Sequence, residues 1–290
     1  MKKIILVFLV IISFVSNAQT VTEPKNNPAE WSKPYEPFRI AGNLYYVGTY
    51  DLASYLIVTD KGNILINTGL AGSLPIIKNN IKKLGFKYKD IKILTLTQAH
   101  FDHMGAMAEI KKETGAKLYV DEKDAEELKS GGKSDYELGK YGVTFKPLQP
   151  DYLLKNNDKI KLGNTTLTLL HHPGHTKGSC SFVFETKDKN QTYKVLIANL
   201  PSIIIDRKFA EVKDYQDIQK DYAYTFEAMK KIDFDLWVAS HASQFDLHTK
   251  RKTGDAYNPK LFADKEIYFQ KLGKLEADYL EKIKKDSSEK

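Results

Sequence analysis

The 290-residue sequence has one cysteine, Cys180, so no internal disulfide can staple the fold and stability must come from a packed core. Cys180 lies in Gly178-Ser179-Cys180-Ser181-Phe182, at the start of a strand-like apolar run. That setting suits a small buried side chain better than a metal thiolate. Beyond the N-terminus no apolar run is long enough to span a bilayer. A linker rich in Pro, Gly or Ser is missing too, as is any repeat, which points to one domain over residues 19–290. Charge of one sign is not concentrated anywhere. The net charge is +7, of which Lys2 and Lys3 contribute two, and Lys and Glu are mixed along helical segments, so nothing marks a nucleic-acid partner. A monomer acting on a small molecule is expected.

What is present begins with an export signal. Lys2 and Lys3 supply positive charge, Ile4 to Val15 are apolar except for Ser13, and Ser16-Asn17-Ala18 offers small residues for cleavage. Residues 1–18 are therefore expected to be removed, sending the remainder to the periplasm without a membrane anchor.

Strand-like runs follow at Leu44 to Val47, Ser54 to Val58 and Asn63 to Asn67. A helix is expected from Ser73, as its N-cap, to Leu84. Ile91 to Leu96 reads as a buried strand, Met104 to Thr114 as a helix, Lys117 to Val120 as a strand and Asp121 to Lys129 as a helix, an order that implies parallel pairing. Strands return at Thr165 to Leu170, Cys180 to Glu185 and Tyr193 to Ala198, then a helix near Tyr215 to Lys231 and a strand at Leu236 to Ala239. From about Pro259 the tail carries Leu272, Leu275, Tyr279 and Ile283 on one helical face that packs on the domain.

Four of the seven histidines fall just after such runs: His100 and His103, His175, and His241. Open sheets bind ligands at those ends. Gln98 and His100, two residues apart, point the same way and can share one ion; Asp102 and His103 lie past the bend and can serve a second. Imidazole and carboxylate are zinc ligands, and His100 with His175, and Asp102 with His103 and His241, form two incomplete shells. His171, His172 and His248 are expected to be structural, with His172 placed to orient a ligand. Ser130-Gly131-Gly132-Lys133 and Lys252-Thr253-Gly254 match fragments of serine β-lactamase signatures. The two glycines and the missing helix start make that match coincidental.

Thr97 to His103 (T-x-x-H-x-D-H), Gly174 to Ser179 (G-H-T-x-G-S) and the late His241 together resemble the metallo-β-lactamase superfamily over nearly the whole mature chain. Ala41 to Ile57, Gln98 and His171 to Phe182 are similar to the GOB-type enzymes of its third subclass. The resemblance implies an α/β (α+β) fold, an αββα sandwich, with metal ions in the groove at one edge of the sheets. It implies a first site of Gln98, His100 and His175 and a second of Asp102, His103 and His241, holding one or two Zn2+ ions. Three positions depart from the superfamily pattern: Gln98 in place of His, Asn67 in place of Asp, and Asn199-Leu200 where a bridging Asp or Asp-Ser is usual. A neutral amide is a poorer zinc ligand than imidazole, so the first site is expected to be the weaker. Asn67 is expected to pair with Gln98.

The implied reaction is hydrolysis of a β-lactam amide, conferring antibiotic resistance, with Asp102 as the catalytic residue that both ligates an ion and holds the attacking water. Tyr50, Leu200 and Ser202 are expected on the substrate wall because they adjoin the motifs. The rivals are a lactone or thioester hydrolase of the same fold and a non-catalytic zinc-binding protein of the periplasm.

Overall fold

The computed structural model describes residues 21–288; the expected export signal lies outside them. Among the described residues, twelve strands form two sheets. In the first, β1 (Phe38–Ala41), β2 (Leu44–Tyr46), β3 (Tyr55–Thr59) and β4 (Gly62–Ile66) make an antiparallel meander. Parallel strands β5 (Ile91–Thr95), β6 (Lys117–Asp121) and β7 (Tyr152–Leu154) extend it. The second sheet runs antiparallel through β8 (Lys159–Leu162), β9 (Thr165–His171), β10 (Cys180–Asp188) and β11 (Gln191–Ala198), and ends in β12 (Leu236–Ala239), parallel to β11.

Period-two alternation explains why the first sheet is covered on both faces. Tyr55, Ile57, Ile64 and Ile66 join the core shared with Leu169, Phe182 and Ile197 of the second sheet. Their neighbours Leu56, Leu65 and Leu94 face the other way, onto Ile77 and Ile81 of helix α1 (Leu74–Lys83) and Met107 and Ile110 of α3 (Met107–Thr114). Helix α5 (Ile218–Met229) and the tail helix α7 (Lys265–Ser288) pack through Phe226, Met229, Leu272 and Tyr279. The result is the expected sandwich of two sheets between helices. No helix among the described residues is long and apolar enough to cross a membrane.

Several local expectations need correction. Ser73 makes no capping hydrogen bond, because a 3-10 turn at Ala71–Ser73 already leads into α1. The helix expected at Met104 to Thr114 is split into α2 (Phe101–Met104) and α3. A Cβ at Gly105, between them, would come within 2.4 Å of the Ala71 nitrogen, so two backbones meet there. The helix expected from Asp121 starts only at Ala125 (α4, Ala125–Ser130), since the Asp121 carboxylate accepts from Lys123 N–H and holds a 3-10 turn. Ser130 ends α4 rather than starting a helix, which removes the serine-enzyme signature. Strands β1, β7 and β8 were not expected. They are three or four residues long, with exposed residues in each, too short to show a period.

Candidate metal centre and substrate cavity

The histidine motifs all sit where strands end: β5 leads to Gln98, His100 and α2, β9 to His175, β11 to Asn199, and β12 to His241. They form the floor of a cavity of about 460 Å3. In one half, Asp102 Oδ2 lies 3.2 Å from His103 Nε2 and 3.4 Å from His241 Nε2. Ligand atoms of these three residues lie within 4.8 Å of one another. Both nitrogens of the buried His103 ring lack a hydrogen-bond partner, so its Nε2 approaches Asp102 without bonding to it. A buried imidazole with neither nitrogen satisfied is costly; an ion shared with Asp102 and His241 would satisfy Nε2, so the donor set fits a divalent metal.

His241 is aimed from behind. Its Nδ1 lies 3.2 Å from Asp51 Oδ2, and Asp51 is itself fixed by Ser243 N–H at 2.8 Å and by Trp31 Nε1 at 3.1 Å. Burial would raise the Asp51 carboxyl, but the bond and charge of His241 outweigh it and hold it at about 2. Burial likewise opposes protonation of His241, yet Asp102 and Asp51 raise it to about 9. Asp102 stays ionised: burial pushes its carboxyl up, and His103 and His241 pull it well below the usual range.

The other half holds Gln98, His100 and His175. The rings of His100 and His175 are 4.9 Å apart between centroids. His100 Nε2 is 3.1 Å from the buried Asp135 carboxylate, which leaves Nδ1 free. Burial would lower its pKa, and Asp135 instead raises it to about 9. His175 Nδ1 donates to the Ser202 carbonyl at 2.7 Å, leaving Nε2 free, and burial with the charge of His100 brings its pKa down to about 3.

Gln98 does not pair with Asn67. Its Oε1 accepts from Asn199 Nδ2 at 3.2 Å. Asn67, in the left-handed region at φ 58°, turns its side chain to Thr97 instead. Beneath both, the buried Asp124 accepts from Ala99 N–H, Thr176 Oγ1 and Gly178 N–H, tying the Gln98 to His100 segment to the His175 loop. Burial raises the Asp124 carboxyl to about 6.

Leu200 and Ser202 line the cavity, but Tyr50 does not. It stacks on His248 at 3.6 Å, and His248 Nε2 donates to the Tyr50 carbonyl. His171 bonds Asp121, and His172 bonds Ser181. Sequence reasoning missed Trp31, Phe101, Leu138, Ile204 and the wall made by Pro24 to Pro28. It also missed Asp51 and Asp135; the one available signal was that each ligand histidine needs a partner for its remote nitrogen.

The metallo-β-lactamase superfamily model matches residues 49–188, and the chain belongs to that superfamily. Within it, the chain is similar to third-subclass enzymes of the GOB type. The metallo-β-lactamase GOB-18 from Elizabethkingia meningoseptica is 73% identical, with a TM-score of 0.92, over 92% of this chain and 99% of that one. The class B3 di-zinc metallo-β-lactamase LRA-12 from an Alaskan soil metagenome is 61% identical, with a TM-score of 0.89, over 90% and 99%. A probable metallo-hydrolase of Methanocaldococcus jannaschii is 30% identical over 136 residues, 47% of this chain. The chain spans 64% of the length of that curated relative and 57% of a similar one from Streptococcus pyogenes.

Proposed function

We propose that the chain is a zinc-dependent β-lactamase that hydrolyses the β-lactam ring amide. The observation that carries this reading is the cluster of Asp102, His103 and His241, with both His103 nitrogens orphaned, on the floor of a cavity large enough for a small molecule. The likeness to GOB-18 over 99% of its length selects the substrate class. Asp102, His103 and His241 would hold one zinc ion, and Gln98, His100 and His175 a second, weaker one. Zinc bound there acidifies water and withdraws charge from a carbonyl or a leaving nitrogen.

The chain's own residues do the rest. Asp102, ionised and buried, accepts a hydrogen bond from the attacking water and orients it. Asp51 and the Ser202 carbonyl engage Nδ1 of His241 and His175, so each ring turns its Nε2 toward the cavity floor. Leu200, Trp31 and Phe101 supply apolar walls that exclude bulk water. Tyr50 has no part in that wall. The chain works as one domain over residues 19–290 and as a monomer, exported to the periplasm by residues 1–18.

A lactone or thioester hydrolase is the nearest rival, since a hydroxyacylglutathione hydrolase of Haemophilus influenzae is 29% identical over 37% of this chain. Against it stands Asn199, whose amide is spent on Gln98 and Ser240. The mature protein, loaded with zinc, is expected to hydrolyse a chromogenic β-lactam and to stop when a chelator is added. Zinc-loaded protein that leaves the β-lactam intact would refute the proposal.

A further inference from the structure

Five polar residues at four strand ends form one buried chain of hydrogen bonds, and its direction can be deduced. The Thr97 backbone N–H can only donate, and it meets Asn67 Oδ1 at 2.9 Å. The other end of that amide, Nδ2, must then donate to Thr97 Oγ1, 3.0 Å away. Having accepted there, the Thr97 hydroxyl turns its hydrogen to Ser240 Oγ at 2.9 Å, closer than the 3.3 Å back to Asn67 Oδ1. Ser240 Oγ in turn donates to Asn199 Oδ1 at 3.2 Å, sharing with the Ala198 carbonyl at 3.3 Å. Asn199 therefore faces Gln98 with its NH2 group, and Gln98 must answer with Oε1. All five residues are at most 4% exposed, so water cannot substitute for a missing link.

We propose that this chain of Asn67, Thr97, Ser240 and Asn199 is a positioning device that holds the Gln98 carboxamide by its oxygen and so sets the zinc affinity of the first metal position. Amide ends are interchangeable in shape, and only hydrogen-bond polarity keeps the oxygen, the end able to bind a metal, from exchanging places with the NH2 group. The device accounts for two departures in the motif together. A carboxylate at 67 could accept from Thr97 N–H but could not donate to Thr97 Oγ1, and a carboxylate at 199 would offer Gln98 no donor. Asn67 thus acts on Gln98 across three intermediates rather than by touching it.

The inference rests on the reading of Gln98, His100 and His175 as a metal position, and its test reads zinc rather than turnover. The purified protein is stripped of metal and titrated with zinc against a chromophoric chelator, which resolves the two positions by affinity. Ser240→Ala and Thr97→Val each remove one hydroxyl at nearly constant volume. Each is expected to weaken the first position about tenfold, the lower end of what losing a ligand's outer partner costs, and to leave the second unchanged. Ser240→Thr, which keeps a hydroxyl, is expected to restore the first. Ser54→Ala, which removes a buried hydroxyl that has no partner, is expected to change neither. Unchanged first-position affinity in both hydroxyl variants, equal weakening of both positions, or a wild type that never takes a second ion would each overturn the proposal. β-Lactam turnover in the same preparations is scored separately. Its absence alone would refute the β-lactamase reading while leaving this one standing.

Discussion

The two halves of the cavity floor are built from similar parts and differ in what they ask of an ion. Asp102, His103 and His241 converge with an ionised carboxylate among them and an imidazole that has no other partner. Gln98, His100 and His175 line the same cavity and include a neutral amide whose oxygen already accepts one hydrogen bond. The first group leaves unsatisfied atoms when empty. In the second, each residue already has one outer partner: His100 meets Asp135, His175 donates to the Ser202 carbonyl, and Gln98 accepts from Asn199. Metal affinity is a difference between the bound state and this empty one. On the proposed assignment, an ion would gain more in the Asp102 half.

The largest expected effect is on that half. Asp102→Asn removes the charge and turns one acceptor oxygen into an NH2 donor, and is expected to lower β-lactam turnover by about a thousandfold or more, within the range for a lost acid–base group. Retention of most of the rate in a steady-state assay would break the assignment of Asp102. Next come the outer carboxylates, which sharpen the comparison because each serves one half. Asp51→Ala is expected to weaken zinc at the His241 position by roughly 10- to 100-fold, and Asp135→Ala to do the same only at the His100 position. Chelator competition on the two variants checks this. Equal losses at both positions would show that the halves are not independent.

The smallest effect concerns acid stability behind the His175 half. Burial, with the charge of His171, lowers the His172 pKa from 6.5 to about 3. Above pH 6.5 the ring is neutral folded or unfolded and contributes nothing to pH dependence. As pH falls from 6.5 towards 3 the unfolded chain takes up a proton that the folded one refuses, so stability is lost at about 1.4 kcal/mol per pH unit. His172→Asn should flatten the decline by that slope, measured by denaturant unfolding between pH 6 and 4. An unchanged slope would mean that His172 is protonated in the folded protein.

Much of this was legible before the structure. The runs Ile93 to Leu96 and Leu236 to Ala239 are buried on consecutive residues, and the histidines that follow them are placed by local chain direction. What was not legible depends on distant segments meeting. Asp51 reaches His241 across 190 positions of sequence and Asp135 reaches His100 across 35, and no periodicity encodes either meeting. Tyr50 was misplaced because adjacency in sequence says nothing about side-chain direction at a turn; its ring is held on His248. The expected pairing of Asn67 with Gln98 was wrong about the contact, since Asn67 bonds Thr97 and Gln98 bonds Asn199. Thr97, Ser240 and Asn199 stand between them.

The central claim is that the Asp102 half binds its ion tightly and the Gln98 half does not. Wild type, Asp102→Asn and Gln98→Ala, each loaded with zinc and dialysed against a limiting chelator, can be compared by zinc content per chain. The account predicts one ion retained by wild type and by Gln98→Ala, and none by Asp102→Asn. An ion kept by Asp102→Asn and lost from Gln98→Ala would contradict it.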